Sequence, residues 1–121
     1  LLTLEAAAYV HDIGIKPAEA KYGREDGPLQ EQEGPGPARE MLTAIGFPGD
    51  VVERVCYLVG HHHTYDAIDG PDYQILVEAD FLVNLFENGA SGEAVGAAYG
   101  SIFRTQSGKA LCRTMFGMED A

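Results

Sequence analysis

The apolar residues of this chain recur at the spacing of a helix and almost never alternate as a strand would. That periodicity constrains the fold more than any other feature. Val52, Val55, Cys56 and Val59 form one helical stripe, and Leu1, Leu4, Ala8 and His11 form another. No stretch shows convincing period-2 alternation, and there is no Asn-Gly hairpin signal. The first helix is expected to stop at Gly14. "PAEAKY" reads as a short helix opened by Pro17, inside an otherwise polar segment, residues 16–36, punctuated by Gly and Pro. A further helix is expected over residues 37–45, ending at Gly46. Asp50 reads as the N-cap of the next helix, with Glu53 as its capping-box partner. "YQILVEADFLVNLFE" is apolar almost all round, the pattern of a central buried helix. "EAVGAAYGSIF" and "GKALCRTMF" read as terminal helices. With no repeat, low-complexity tract or second domain in view, residues 1–121 read as a single all-α bundle.

Composition then excludes some functions. Eight Lys plus Arg stand against 19 Asp plus Glu, a formal charge of −11. A nucleic acid is gripped through many phosphate contacts made mainly by Lys and Arg, so a nucleic-acid groove is not expected. A small phosphorylated molecule remains open as a partner, because a metal ion can supply the positive charge that the protein lacks. No apolar run approaches the roughly 20 residues of a membrane span. The N-terminus has neither the basic start nor the cleavage signature of a signal peptide. A cytoplasmic protein without a membrane segment is therefore expected, with a homo-oligomer left open. Because the chain opens inside an already amphipathic helix, a fragment or processed domain is expected. Cys56 and Cys112, far apart and each among apolar residues, read as buried reduced thiols.

Chemistry concentrates in few residues. All four histidines fall in two places, His11 beside Asp12 and the triplet His61, His62 and His63. For the pair, a helix-terminal ion pair is the plain alternative; for the triplet, it is a solvated surface run. Asp80 lies among Leu76, Val77, Ala79, Phe81, Leu82 and Val83 and is expected to be buried. A buried carboxylate needs a cation, a metal or several donors. Glu78 is expected on another side of that helix, either solvated or as a second polar contact. Mixed imidazole and carboxylate ligands suit a divalent Fe, Mn, Zn, Co or Ni ion.

"HDIG", "GHHH" and "EADFLVN", taken together, resemble the HD-domain superfamily of metal-dependent phosphohydrolases. "EGPGPAREMLTAIGFPGDVVERVCYLVGHH" resembles the family's Gly-containing helix start and the histidine run of its two-metal members. The resemblance covers roughly residues 1–87. It implies an HD-domain-like helical bundle, with His11 and Asp12 as the doublet, Asp80 as the closing aspartate and His61 and His62 as the preferred ligands of the triplet. His63 is then expected to face the substrate or to support the ligands. The chain departs from the pattern twice. The family's first histidine, which normally precedes the doublet by a few tens of residues, has no counterpart here, so the family's first helix is expected to be missing. Where two-metal members carry another histidine, this sequence has Gln30, Glu31, Gln32 and Glu33.

The resemblance further implies hydrolysis of a nucleotide or another small phosphate ester by a metal-activated water. Asp12 would orient that water, and His62 or His63 would bind phosphate or protonate the leaving group. Lys16, Lys21 and Arg24 are candidate phosphate contacts, each with solvated surface charge as the competing reading. Tyr65 and Tyr73 are candidate stacking partners for a base or sugar, each with packing alone as the alternative. Two other functions fit the same residues: a non-catalytic binding or regulatory module, and a di-iron oxygenase of the same fold.

Overall fold

A computed structural model describes residues 2–24 and 26–118, and among these there are helices and no strand. Eight helices follow in order: α1 (Leu2–Val10), α2 (Ile15–Tyr22), α3 (Gly27–Glu33), α4 (Pro35–Ile45), α5 (Gly49–Val59), α6 (Pro71–Glu87), α7 (Gly92–Ser101) and α8 (Gln106–Phe116). None is long and apolar enough to cross a membrane. The chain divides into two compact units, Leu1–Ile68 and Asp69–Ala121, although no composition shift marks a boundary there.

In the first unit α5 packs against both α1 and α4, and α3 packs against α2 and α4. The stripe expected on α5 is its buried face: Val52, Val55, Cys56 and Val59 are all covered, with Val51 and Leu58 beside them. Each such valine contributes on the order of 1.5–2 kcal/mol by leaving water. On α1 the expected stripe is not the buried face: Ala8 is exposed and Leu4 and His11 are half-buried, the buried residues are Ala6, Ala7 and Val10, and Leu1 lies outside the described residues. Short alanines there let α1 approach α5 closely. The helix ends follow local chemistry. Gly46 closes α4 in the left-handed conformation that the sequence leads one to expect of a glycine stop.

Two further expectations for this unit need correction. The polar segment contains α3, which has its own signals: Asp26 accepts from the Leu29 amide, and Pro28 sits in the first turn. Their message is hidden by the surrounding glycines and acids. Asp50 is not an N-cap. Pro48 holds that position without a side-chain bond, Asp50 lies in the first turn, and Glu53 pairs with Arg39 of α4 instead of closing a capping box.

In the second unit α8 packs against α6 and α7. Leu82, Val95, Ala98, Phe103 and Cys112 form its core, with Phe81, Leu85, Tyr99, Ile102 and Phe116 packed around it. Ser91 and Thr105 cap α7 and α8 by accepting from the amides of Ala94 and Gly108. The expectation for α6 is half right. Tyr73, Leu76, Val77 and Leu82 are buried, but Ile75, Val83 and Phe86 are exposed at 42%, 52% and 67%, so the helix is not buried all round. Both cysteines are buried free thiols, and burial pushes each thiol pKa up.

Candidate metal centre

The HDIG stretch occupies the turn between α1 and α2, and the histidine triplet occupies the turn after α5. Since α1 packs on α5 and His11 meets His62, the C-terminal ends of both helices point to one place. Helix C-termini carry partial negative charge and favour a cation there. Close backbone approach builds the turn. A Cβ added at Gly14 would stand 2.5 Å from the Gln30 carbonyl oxygen and 2.8 Å from the Gly34 nitrogen. One added at Gly34 would stand 2.5 Å from a Val59 methyl. Gly14 of "HDIG" and Gly34 of "EGPGP" are therefore the contact by which α2, α3 and α5 come together beneath the site.

Backbone carbonyls then aim the imidazoles. Nδ1 of His11 lies 2.9 Å from the Ala8 carbonyl, and Nδ1 of His62 lies 2.9 Å from the Val59 carbonyl. A carbonyl oxygen only accepts, so each Nδ1 must carry hydrogen and each neutral ring keeps its lone pair on Nε2. Those two Nε2 atoms face Asp12: His11 Nε2 is 3.3 Å from Oδ2, and His62 Nε2 is 3.7 Å from Oδ1. The rings of His11 and His62 meet edge to face, centroids 5.3 Å apart. Both distances exceed the roughly 2.7–2.9 Å of a direct charge-assisted bond. His62 is fully buried, and its Nε2 has no hydrogen-bond partner. When Nε2 carries a proton, the imidazoles of His11, first, and of His62 donate to Asp12 and hold its carboxyl well below the usual carboxylate range, against the opposing effect of partial burial; a metal ion on the two Nε2 atoms would take the place of those protons.

The triplet separates into three roles. His63 joins Asp12 and His62 in a set whose ligand atoms all lie within 4.8 Å of one another. Gln30 Oε1 sits 2.9 Å from His63 Nε2, and Glu31 accepts from the His63 amide and from the Thr64 hydroxyl. The segment lacking a family histidine thus grips the triplet turn with an amide and a carboxylate. His61, expected among the ligands, is directed at its own helix: Nδ1 lies 2.6 Å from the Tyr57 carbonyl, and the ring stacks on Tyr57 at 4.0 Å. Sequence could not separate His61 from His63, because the direction of each ring is set by the carbonyls of the last turn.

The donor set fits a divalent ion. Two Nε2 lone pairs and a carboxylate converge, and each His Nδ1–H is held by a carbonyl, which is how metal-binding histidines are usually oriented. A third imidazole stands in reach. A proton shared among three such groups would satisfy fewer of them than a cation would.

The other expected residues scatter. Lys21 pairs with Glu33 at 2.7 Å and Arg24 with Asp26 at 3.7 Å, so acidic partners already occupy both. Lys16 lines a cavity of about 610 Å³ that also touches His11 and Asp12. Tyr65 is exposed at 38%, whereas Tyr73, on α6, is 1% exposed.

Asp80, on α6 of the second unit, is half-buried rather than buried. The buried carboxylate of that helix is Glu78, 2% exposed. It accepts from the Thr105 hydroxyl at 2.6 Å, the Arg104 amide at 2.9 Å, the Thr105 amide at 3.0 Å and Gln74 Nε2 at 2.6 Å. Burial pushes its pKa up, but these bonds outweigh burial and the net shift is downward. A Cβ at Gly108 would fall 1.8 Å from Glu78 Oε1, so the glycine admits the carboxylate to the start of α8. Glu78 is a structural pin, and the apolar run around both acids concealed which of them is inside.

Compared with protein-family models, with curated proteins and with solved structures, the chain matches none.

Proposed function

We propose that this chain is a metal-dependent phosphohydrolase with an HD-domain-like bundle, acting on a nucleotide or another small phosphate ester. The observation that carries the reading is His62 Nε2, buried without a hydrogen-bond partner and aimed at the Asp12 carboxylate while Nδ1 is committed to Val59. A lone pair fixed toward an anion in a covered site costs free energy unless a cation joins them. His11, Asp12 and His62 would hold the ion, and His63, within reach of them, would be left to carry a proton. The resemblance of "HDIG", "GHHH" and "EADFLVN" nominates Asp80 as another ligand, on sequence alone.

A bound divalent ion supplies Lewis acidity and a water whose pKa falls toward neutrality. The chain does the rest. Asp12, kept ionised, has an oxygen for each histidine and can accept a proton from an attacking water. His63, braced by Gln30, can carry a proton to the leaving oxygen. Lys16 stands on the cavity wall to meet a phosphoryl oxygen. His61 has Nδ1 at the Tyr57 carbonyl and its ring stacked on Tyr57, and it is left out of the proposed ligand set.

The test is phosphate release from a panel of phosphomonoesters, phosphodiesters and nucleoside monophosphates by manganese-loaded protein. Turnover of at least one ester, lost in Asp12→Asn and in Asp80→Ala, supports the reading. Manganese bound without turnover of any ester points to a binding module. Turnover kept in Asp80→Ala removes Asp80 alone from the ligand set.

A further inference from the structure

The cavity beside the histidine–aspartate turn is lined in a way that selects among phosphate esters. Its volume, about 610 Å³, lies inside the range of roughly 300–1,000 Å³ usual for small-molecule sites. Tyr9, Val10, Ile13, Ile15 and Met41 give it carbon walls, and His11 and Asp12 close one end. Lys16 is the one cation lining it among the described residues. Tyr9 is 91% exposed and Met41 45% exposed, so this apolar surface faces solvent rather than being consumed by packing.

Charge decides what can sit there. Lys21 and Arg24 are held by Glu33 and Asp26, while among the described residues Lys16 has no acidic partner. A chain of phosphates would meet one ammonium, then carbon walls that cannot solvate the remaining charges. A lone phosphoryl group needs only the His11–Asp12 end and Lys16. The rest of the ligand then lies against carbon, where an aromatic ring can stack on Tyr9.

We propose that the cavity takes esters with a single phosphoryl group and an apolar, ring-sized organic part, the phosphoryl at the His11–Asp12 end beside Lys16 and the ring against Tyr9 and Met41. The inference rests on the phosphohydrolase reading, because a phosphoryl group beside the Asp12 carboxylate requires the cation of that reading. Its consequence is selectivity against polyphosphates and against esters of unadorned sugars.

Calorimetric titration of the manganese-loaded full chain tests this with phosphonates, which are not hydrolysed, and with ribose 5-phosphate, whose phosphate release is followed in the same samples. Phenylphosphonate should bind at least about tenfold more tightly than methylphosphonate, since covering a ring gains more than covering a methyl group. Ribose 5-phosphate should bind no better than methylphosphonate. Tyr9→Ser and Met41→Ser, both at exposed positions, should each shrink the phenyl preference severalfold. Lys16→Met should weaken both phosphonates by a similar factor and leave their ratio intact. Equal affinity for the two phosphonates, tighter binding of ribose 5-phosphate, an unchanged preference in both serine variants, or no phenylphosphonate binding would each overturn the proposal. Failure of the hydrolase reading would look different: phenyl selectivity would persist while phenyl phosphate was never turned over.

Discussion

Two carboxylates in this chain show what a polar group inside a protein can be for. Glu78 is 2% exposed and fully answered, by a hydroxyl, two amides and a side-chain amide. Asp12 is half-exposed and faces two imidazoles at 3.3 and 3.7 Å, one with a buried nitrogen that has no hydrogen-bond partner. The first arrangement is complete with protein atoms alone and fastens α6 to the start of α8. The second leaves lone pairs converging on an anion, which is a request for a cation. Burial identifies the structural carboxylate; an unanswered acceptor identifies the chemical one.

The sharpest way to break this contrast is to remove each carboxylate in turn. Glu78→Ala should cost about 3 kcal/mol in urea unfolding, because it strands several buried donors. It should leave metal affinity unchanged. Gly14→Ala should cost about 2 kcal/mol, since its Cβ would press on the Gln30 carbonyl and the Gly34 backbone. It should also weaken metal binding, as the displaced turn carries His11 and Asp12. Asp12→Asn should behave oppositely to Glu78→Ala. Metal-free stability should fall by less than in Glu78→Ala, since Asp12 is half-exposed and water screens its pairing with the imidazoles, whereas the gain of about 2.7 kcal/mol expected at a metal concentration of a hundred times Kd should vanish.

Acid tests the Glu78 pin in another way. The pKa of Glu78 is lowered in the folded chain below its ordinary 4.5. Its ionised form therefore stabilises the fold at pH above about 4.5, and that contribution is lost as pH falls through the folded value. Glu78→Gln should flatten the acid limb of a stability–pH curve measured without metal, and an unchanged limb would deny the carboxylate its role as a pin. The smallest effect belongs to the surface. Lys21→Ala should have the least effect on stability of these variants, because Lys21 itself is mostly exposed and water screens its pairing with Glu33. It should leave phenylphosphonate affinity untouched, in contrast to Lys16→Met.

Much of this was legible in the sequence, and the failures share a cause. Helical spacing is a local property, so the buried stripe of α5, the glycine stop of α4 and the presence of two terminal helices could be read directly. The clustering of His11, Asp12 and the triplet could also be read, because residue types and their order carry it. What depended on distant partners could not. Glu53 looked like a capping-box residue until Arg39 of α4 reached it. Asp80 looked buried because its neighbours are apolar, yet Glu78 faces Thr105 and Gly108, some thirty residues away in the chain. Lys21 and Arg24 looked available for phosphate until Glu33 and Asp26 were found beside them. His61 and His63 could not be told apart because ring direction follows the carbonyls at a helix end, which residue identity does not encode.

The central claim is that the converging nitrogens and carboxylate of the first unit form a metal site. It is tested most directly by titrating the metal-stripped chain with manganese, zinc and ferrous ion, beside Asp12→Asn and His62→Gln. The account predicts about one equivalent or more of at least one of these ions in the parent chain. It predicts an affinity loss of at least about a hundredfold in each variant, with the folded helical signal retained in Asp12→Asn. No binding of any of the three by the parent chain, or binding that survives both substitutions, would contradict it.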